Sequence, residues 1–507
     1  MSNLFESSRS RVLNIFAALE ANPVMLWLIP AAIYAATAIH ACLVKPLWHD
    51  ELFTYYVSRQ DSAGGIIQSL LRAEDSLPPL DYFLRHFCLQ VFGDSWISFR
   101  LVSLLGISLS VWAIREFTAN VAGSVAGTLA ALAVLGTTAL KMAAEGRGTA
   151  LLVPFAALSL LFWQRAAGGS RPALAGLFLM LAAAPYAHYY AILIYLPIAC
   201  GEIARWFSQR RFNPRIWAVM ALAGVAMAGL VPFMLAARQF SGHFWSDTSP
   251  MAVVLIYLNL IGPFGVLAFA ALGYIALFQP VQELDSGQKS NRPLPEIAAA
   301  CCLLALPLVA FVMAGFTHSL AVRYVLPMVL GAGFLIGYCV CAAGLRVTGL
   351  AGLVYCLLFG TFLFSAAGWW RAVTGLRDMA QSQKQDFVEL LTSATEPVVL
   401  GNPFLFIQMS YFAGEPLQKR LVYIADSDQA VRFTGSDTVD LCLLLVRSRA
   451  GLTVEHYATF TKTHPSFTLV HESANWVLKK LAEDSADLRV VGTFEGDLRY
   501  HVVVRPQ

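Results

Sequence analysis

Between residues 24 and 368 the chain repeats one pattern, an apolar run closed by a short polar break. Runs of about 15–25 apolar residues suit membrane-crossing helices at 1.5 Å per residue. The pattern predicts eleven of them: 24–44, 98–114, 119–140, 149–163, 173–187, 189–204, 216–236, 251–278, 297–316, 325–343 and 348–368. Residues 173–204 taken as one helix would be about 48 Å long, too long for a single span. Pro185 and the polar His188 mark the break that divides it. The first run begins at residue 24 and lacks a small-residue cleavage site, so it is expected to stay as a helix.

From Trp369 onward the period changes. Short β-branched runs at Val398–Leu400, Leu421–Ile424, Leu441–Val446 and Phe467–Val470 read as strands. Phe404–Phe412 and Val454–Lys462 read as helices between them. Leu488–Phe494 and Leu498–Val504, separated by Glu495-Gly496-Asp497, read as a closing hairpin. The expected fold is a polytopic α-helical membrane domain, residues 1–368, followed by a soluble α/β domain, residues 369–507.

Charge places the same boundary. The last 139 residues hold 30 charged side chains, about 22%, and the preceding 368 hold 37, about 10%. Over the whole chain 57% of residues are hydrophobic and only 13% charged, against about 25% charged in an ordinary soluble domain. That composition excludes a disordered chain, a disulfide scaffold and a nucleic-acid-binding domain. The net charge of +3 gives no reason to expect a polyanionic partner.

Basic residues orient the membrane domain. Arg9, Arg11, Arg115, Arg165, Arg171, Arg205, Arg210, Arg211, Arg215, Lys289, Arg292 and Arg346 fall in one set of loops. The short loops on the other side carry only Lys141, Arg147, Arg238 and Arg323. The first set is expected in the cytoplasm with the N-terminus. Eleven crossings then put the loop 45–97 and the C-terminal domain outside, in the periplasm of a bacterial inner membrane.

The outer loop carries the candidate chemistry. It opens with Trp48-His49-Asp50-Glu51, two adjacent carboxylates where charge is costly so close to hydrocarbon. Either Asp50 caps a short helix, or it is a general base at headgroup depth. Glu74-Asp75-Ser76-Leu77-Pro78-Pro79 turns the chain, and Tyr82–Phe92 follows as an amphipathic helix lying on the membrane. Arg85 sits on its polar side, as a snorkelling anchor or a substrate contact. Gly93-Asp94-Ser95 and Arg100 lead into the next span.

An Asp-Glu pair after the first helix, Pro-Pro some thirty residues later and Gly-x-Ser-x-x-x-x-Arg before the second span resemble the GT-C class of polyprenyl-phosphate-sugar-dependent glycosyltransferases. These include the protein O-mannosyltransferases and the lipid A aminoarabinose transferases. Glu145-Gly146-Arg147, His188-Tyr189-Tyr190 and Arg323-Tyr324-Val325-Leu326-Pro327 resemble further outer-face motifs of the class. The resemblance covers about residues 20–345. Asp81 stands where an aromatic residue is common, and Gly148-Thr149 where a bulky aromatic often follows the arginine.

The resemblance implies a sugar carried on a polyprenyl phosphate and moved to a hydroxyl of a cell-envelope acceptor: lipopolysaccharide, another glycolipid, a polysaccharide or a protein. The leaving lipid phosphate needs no strong acid, so the residues must deprotonate the acceptor and hold the phosphate. Asp50 is the expected base, acting in one displacement that inverts the sugar. Arg147 and Arg323 are the expected phosphate ligands, with membrane anchoring as the plainer role for each. Glu145 positions the acceptor, binds a sugar hydroxyl or pairs Arg147. His188 donates to phosphate, binds a sugar hydroxyl or caps an interfacial helix. Glu51 supports the base or binds sugar, and His49 tunes Asp50 or is a bystander. Tyr189 and Tyr324 are expected beside the substrate as members of their motifs. Asp50, Glu51 and Glu145 are the oxygen ligands a divalent metal would use, and no metal is assigned. The competing functions are a lipid-linked-sugar flippase, a ligase-type transferase using a diphosphate-linked donor, and an envelope scaffold.

Overall fold

The computed structural model describes residues 23–240, 249–260, 293–344, 350–414, 417–471, 475–494 and 497–504. The chain divides into two compact units. The first comprises the described parts of Met1–Leu43, Arg100–Gly229 and Asp247–Arg371. The second comprises those of Val44–Phe99, Leu230–Ser246 and Ala372–Gln507. The outer loop, grouped by sequence with the membrane domain, thus lies in the same unit as the C-terminal region.

Among the described residues six helices are long and apolar enough to cross a membrane. They are Leu26–Val44, Trp96–Leu135, Gly148–Ala167, Tyr189–Gln209, Pro214–Phe240 and Ala351–Ser393. The pair Leu294–Leu304 and Leu306–Thr317, bent by 47°, adds a seventh as one broken span. Arg171–Ala187, Pro250–Leu260 and Met328–Ala342 are apolar but shorter. The expected count of eleven is therefore not reproduced, and most of the expected span 251–278 lies outside the described residues.

Two of the differences have local causes. The expected spans 98–114 and 119–140 are two helical segments within Trp96–Leu135, but they part at Gly123 rather than at 115–118, and the φ of 87° there is one only glycine adopts without strain. The chain folds back there: a Cβ on Gly127 would overlap the carbonyl oxygen of Arg115, twelve residues earlier. In a straight helix those residues would be about 18 Å apart. The last span does not end at the composition break, because one helix, Leu350–Ser393, runs through Trp369.

The expected break at His188 is present. Helix Arg171–Ala187 ends there, a 3₁₀ turn covers Tyr189–Ile194, and a new helix runs Tyr195–Gln209. Small residues set the packing around Met328–Gly344. Cβ atoms on Gly333 and Gly337 would overlap the carbonyls of Ala130 and Ala126, so the backbones approach too closely for any other residue. Trp163, Phe117 and Phe334 fill the adjoining core, the two phenyl rings 5.3 Å apart.

The second unit contains a six-stranded sheet in the order β3-β2-β1-β4-β6-β5. Its strands are β1 Val398–Leu400, β2 Leu421–Ala425, β3 Val454–His456, β4 Ser466–His471, β5 Asp487–Phe494 and β6 Asp497–Val503. The first four run parallel, and β6 is antiparallel to both β4 and β5. The hairpin and three of the four short strands match the expectation.

Leu441–Val446 does not form a strand. It lies inside helix Thr438–Ala450, where the buried positions Asp440, Leu443 and Val446 recur every third residue. A short apolar run cannot separate strand from helix by itself. Here the helix has thirteen residues and ends at Gly451, in the left-handed region at φ 65°. Val454 opens β3 rather than a helix, and the helix begins at Tyr457.

Candidate active site

The expected site residues fall into two groups, one in each unit. In the second unit the chain leaves its first span at Lys45-Pro46-Leu47, passes extended through Trp48 and enters helix His49–Ser58. Asp50 and Glu51 occupy the first turn, where the exposed amides favour negative charge. Trp48, not Asp50, is the residue at the cap.

The two carboxylates have different surroundings. Glu51 is fully buried, accepts the Trp48 backbone N–H at 3.4 Å and pairs with the Lys45 ammonium at 3.2 Å. The reach from the third helical residue back to the cap is half of a capping box. Asp50 keeps 18% of its side chain exposed, with His49 Nε2 3.8 Å from its Oδ1.

The His49 ring lies against Trp48, 4.6 Å between centroids, and against Phe404 at 4.0 Å. Phe404 opens helix Pro403–Ala413, whose first amides are capped by Asn402 Oδ1 at 2.9 and 3.0 Å. Gln408 on that helix donates to the Leu47 carbonyl at 3.4 Å. The Tyr55 and Tyr411 rings meet edge to face at 5.6 Å, and Leu52 and Phe53 share a core with Met409. The Asp50 helix is thus seated on the C-terminal α/β fold.

Arg85 lies inside the same unit with no exposed side-chain surface. Its guanidinium pairs with Asp81 through two contacts of 2.9 Å and donates to the Phe99 carbonyl at 2.7 Å. Asp81, the departure from the family pattern, is therefore the buried partner of Arg85.

The first unit gathers the rest. Glu145 and Arg147 flank Gly146 ahead of a 3₁₀ turn, Gly148–Leu151, and both are nearly buried. The Glu145 carbonyl accepts from Ser103 Oγ at 2.5 Å. His188, extended at φ −161°, caps the turn that Tyr189 opens, its Nδ1 accepting the Tyr190 N–H at 3.2 Å. The Tyr190 ring stacks on Tyr324 at 4.7 Å, and His188 packs on Tyr324 at 5.0 Å. The Tyr190 hydroxyl donates to the Ser319 carbonyl. Arg323 and Tyr324 share the 3₁₀ turn Val322–Val325, so these contacts tie the His188 break to the Arg323 turn.

Burial, with Arg323 and then Arg147 acting on it, pulls the His188 imidazole down to a pKa of about 3. It is neutral at physiological pH. Because Nδ1 accepts a backbone N–H, the ring proton sits on Nε2, which is buried without a hydrogen-bond partner. A neutral N–H donor and two guanidinium groups make an environment suited to an anion.

Among the described residues no three His, Cys, Asp or Glu side chains form a metal-ligand cluster. Sequence reading missed Phe404, Lys45 and Tyr190 as shaping residues. Only Tyr190 carried a signal, its place in the His188 motif.

The architecture has solved counterparts. The crystal structure of ArnT from Cupriavidus metallidurans bound to undecaprenyl phosphate superposes with a TM-score of 0.56 at 14% identity, covering 95% of this chain and 99% of that one. The apo state of the same protein gives 0.56 and 14%, covering 99% and 100%. The chain has a GT-C glycosyltransferase fold. Residues 76–235 match the family model of dolichyl-phosphate-mannose-protein mannosyltransferases, a stretch holding Arg85, Glu145, Arg147 and His188 but neither Asp50 nor Arg323. No curated protein is significantly similar in sequence. The GT-C fold and the apolar helices make this a membrane-embedded protein.

Proposed function

We propose that this protein is an integral-membrane glycosyltransferase that moves a sugar from a polyprenyl phosphate to a hydroxyl of a cell-envelope acceptor. The full-length likeness to the ArnT fold and the mannosyltransferase match support the reaction class. The observation that carries the mechanism is the contrast between the paired carboxylates. Glu51 is buried against Lys45, whereas Asp50 retains access to solvent beside His49.

In this reading Asp50 takes the acceptor proton as its oxygen attacks the anomeric carbon. The carbon–phosphate oxygen bond breaks, the polyprenyl phosphate leaves as an anion, and the anomeric configuration inverts. The His188 Nε2–H, Arg147 and Arg323 hold that phosphate, with Tyr324 packing the imidazole in place. Glu145 orients the acceptor. In this reading the outer loop and the C-terminal sheet face the periplasm, a placement the distribution of arginines supports.

The test is transfer by purified protein given a polyprenyl-phosphate sugar. Asp50→Asn is expected to lower turnover by about 10²–10⁴-fold with thermal stability unchanged. Turnover within a few-fold of wild type in that variant would remove Asp50 from the chemistry. Transfer only from a diphosphate-linked donor would overturn the donor assignment.

A further inference from the structure

At the end of helix Gly148–Ala167 farthest from Arg147, a cavity of about 330 Å³ opens, and the membrane-length helix Pro214–Phe240 begins there. Tyr189–Gln209 ends four residues before Asn213 of its lining. The floor is apolar, with Ala166, Ala167 and Leu174. The rim is polar, with Ser170, Arg171, Asn213 and Arg215.

Helices Arg171–Ala187 and Pro214–Ala226 both start at this rim, so the positive ends of two helix dipoles lie at it. Arg171 and Arg215 are exposed and, among the described residues, neither forms an ion pair. The Glu202 carboxylate pairs with Arg205 and accepts from Trp163 Nε1 at 2.7 Å, and Glu296 acts on the same Arg205. Residues 205–215 hold four arginines and no acid.

The same segment exposes Trp206, Phe207 and Phe212, the first two rings stacked at 5.4 Å and Phe212 edge to face with Trp206 at 6.2 Å. Exposed aromatic rings among arginines at helix ends are the composition of a membrane–water interface. Basic pockets between membrane helices at that depth take anionic lipid headgroups.

The geometry points to a structural binding site for an anionic phospholipid in this cavity, separate from the sugar-transfer chemistry. The phosphodiester sits between Arg171 and Arg215 against the two helix starts. The acyl chains leave over the exposed aromatic rings. A neutral zwitterionic lipid gains less, because its choline meets the same arginines.

The test uses the full-length protein in detergent, with lipid retention read by native mass spectrometry. Phosphatidylglycerol is expected to be retained in preference to phosphatidylcholine, and less so as salt rises. Arg171→Gln with Arg215→Gln should weaken that retention by roughly 30-fold, about fivefold per arginine, and the double lysine variant should restore most of it. Photo-crosslinkable phosphatidylglycerol should label peptides within 166–174 and 206–215 of the unmodified protein, which keeps the test informative if the glutamine variant does not fold. Equal retention of both lipids, labelling confined to other segments, or unchanged retention in a folded glutamine variant would overturn the proposal. Equal competition by inorganic phosphate at millimolar concentration would assign the cavity to a free anion instead.

Discussion

Replacing Glu51 by Gln separates stability from catalysis at the Asp-Glu pair. Glutamine keeps the shape of the side chain and an oxygen for the Trp48 amide, but removes the charge that Lys45 faces at 3.2 Å. Lys45 is only 7% exposed, so its ammonium cannot recover the loss from bulk water. Removing one partner of a buried pair costs about 3–5 kcal/mol. Expressed locally, that is about two to four decades faster amide exchange in helix His49–Ser58, at 1.36 kcal/mol per decade. Lys45→Met alone should cost a similar amount, by taking the ammonium from the carboxylate. The double variant Lys45→Met, Glu51→Gln should cost clearly less than the sum, since the shared contact is lost only once. Hydrogen exchange by mass spectrometry on the full chain reads all three variants. Normal protection in Glu51→Gln together with abolished transfer would refute the structural role and make Glu51 part of the chemistry. An additive double variant would refute the pairing.

Asp440 offers a pH test in the C-terminal fold. Burial raises its carboxyl to about 7, against hydrogen bonds from the Asp426 amide, Trp476 and Tyr423 that favour the charged form. The folded state therefore holds a proton that the unfolded chain releases. Its contribution to stability is fully present below pH 4 and falls by on the order of 4 kcal/mol as pH rises to 7. Asp440→Asn should flatten that slope and slow exchange around β2 at pH 8, and an unchanged slope would refute the assignment. Gly127→Leu should disrupt the helical hairpin, seen as lost monodispersity in detergent, because its side chain meets the Arg115 carbonyl; normal behaviour would mean the two halves do not approach. Phe404→Ala should lower kcat by about two- to tenfold, the worth of one aromatic pair at His49, with Phe404→Tyr restoring it; unchanged kcat would show that the ring does not position the Asp50 helix.

What sequence could show followed from local physics. The break at His188 was legible because Pro185 and an imidazole interrupt an apolar run too long for one span. The reversal between the spans 98–114 and 119–140 was legible too, but not its place, since a glycine among Ala, Ser and Val does not reveal that the chain turns at Gly123 rather than at the polar residues 115–118. Arg85 read as a surface cation because its helix is amphipathic. Asp81 lies one turn earlier, and only the folded unit shows that both are enclosed. Leu441–Val446 read as a strand because six apolar residues fit either structure, and tertiary burial chose the helix. Lys45 and Glu51 are six residues apart across a change of direction, a spacing that matches no helical or strand contact.

The contact between His49 and Phe404 joins positions about 355 residues apart in the chain. At translation rates of about 5–20 residues per second, some 20–70 s separate the synthesis of the Asp50 helix from that of its support. During that interval Leu52, Phe53 and Tyr55 lack the Met409 and Tyr411 side chains that later enclose them. A ribosome stalled before residue 404 would leave a hydrophobic helix at the membrane edge without its native cover, a natural target for chaperones and quality-control proteases.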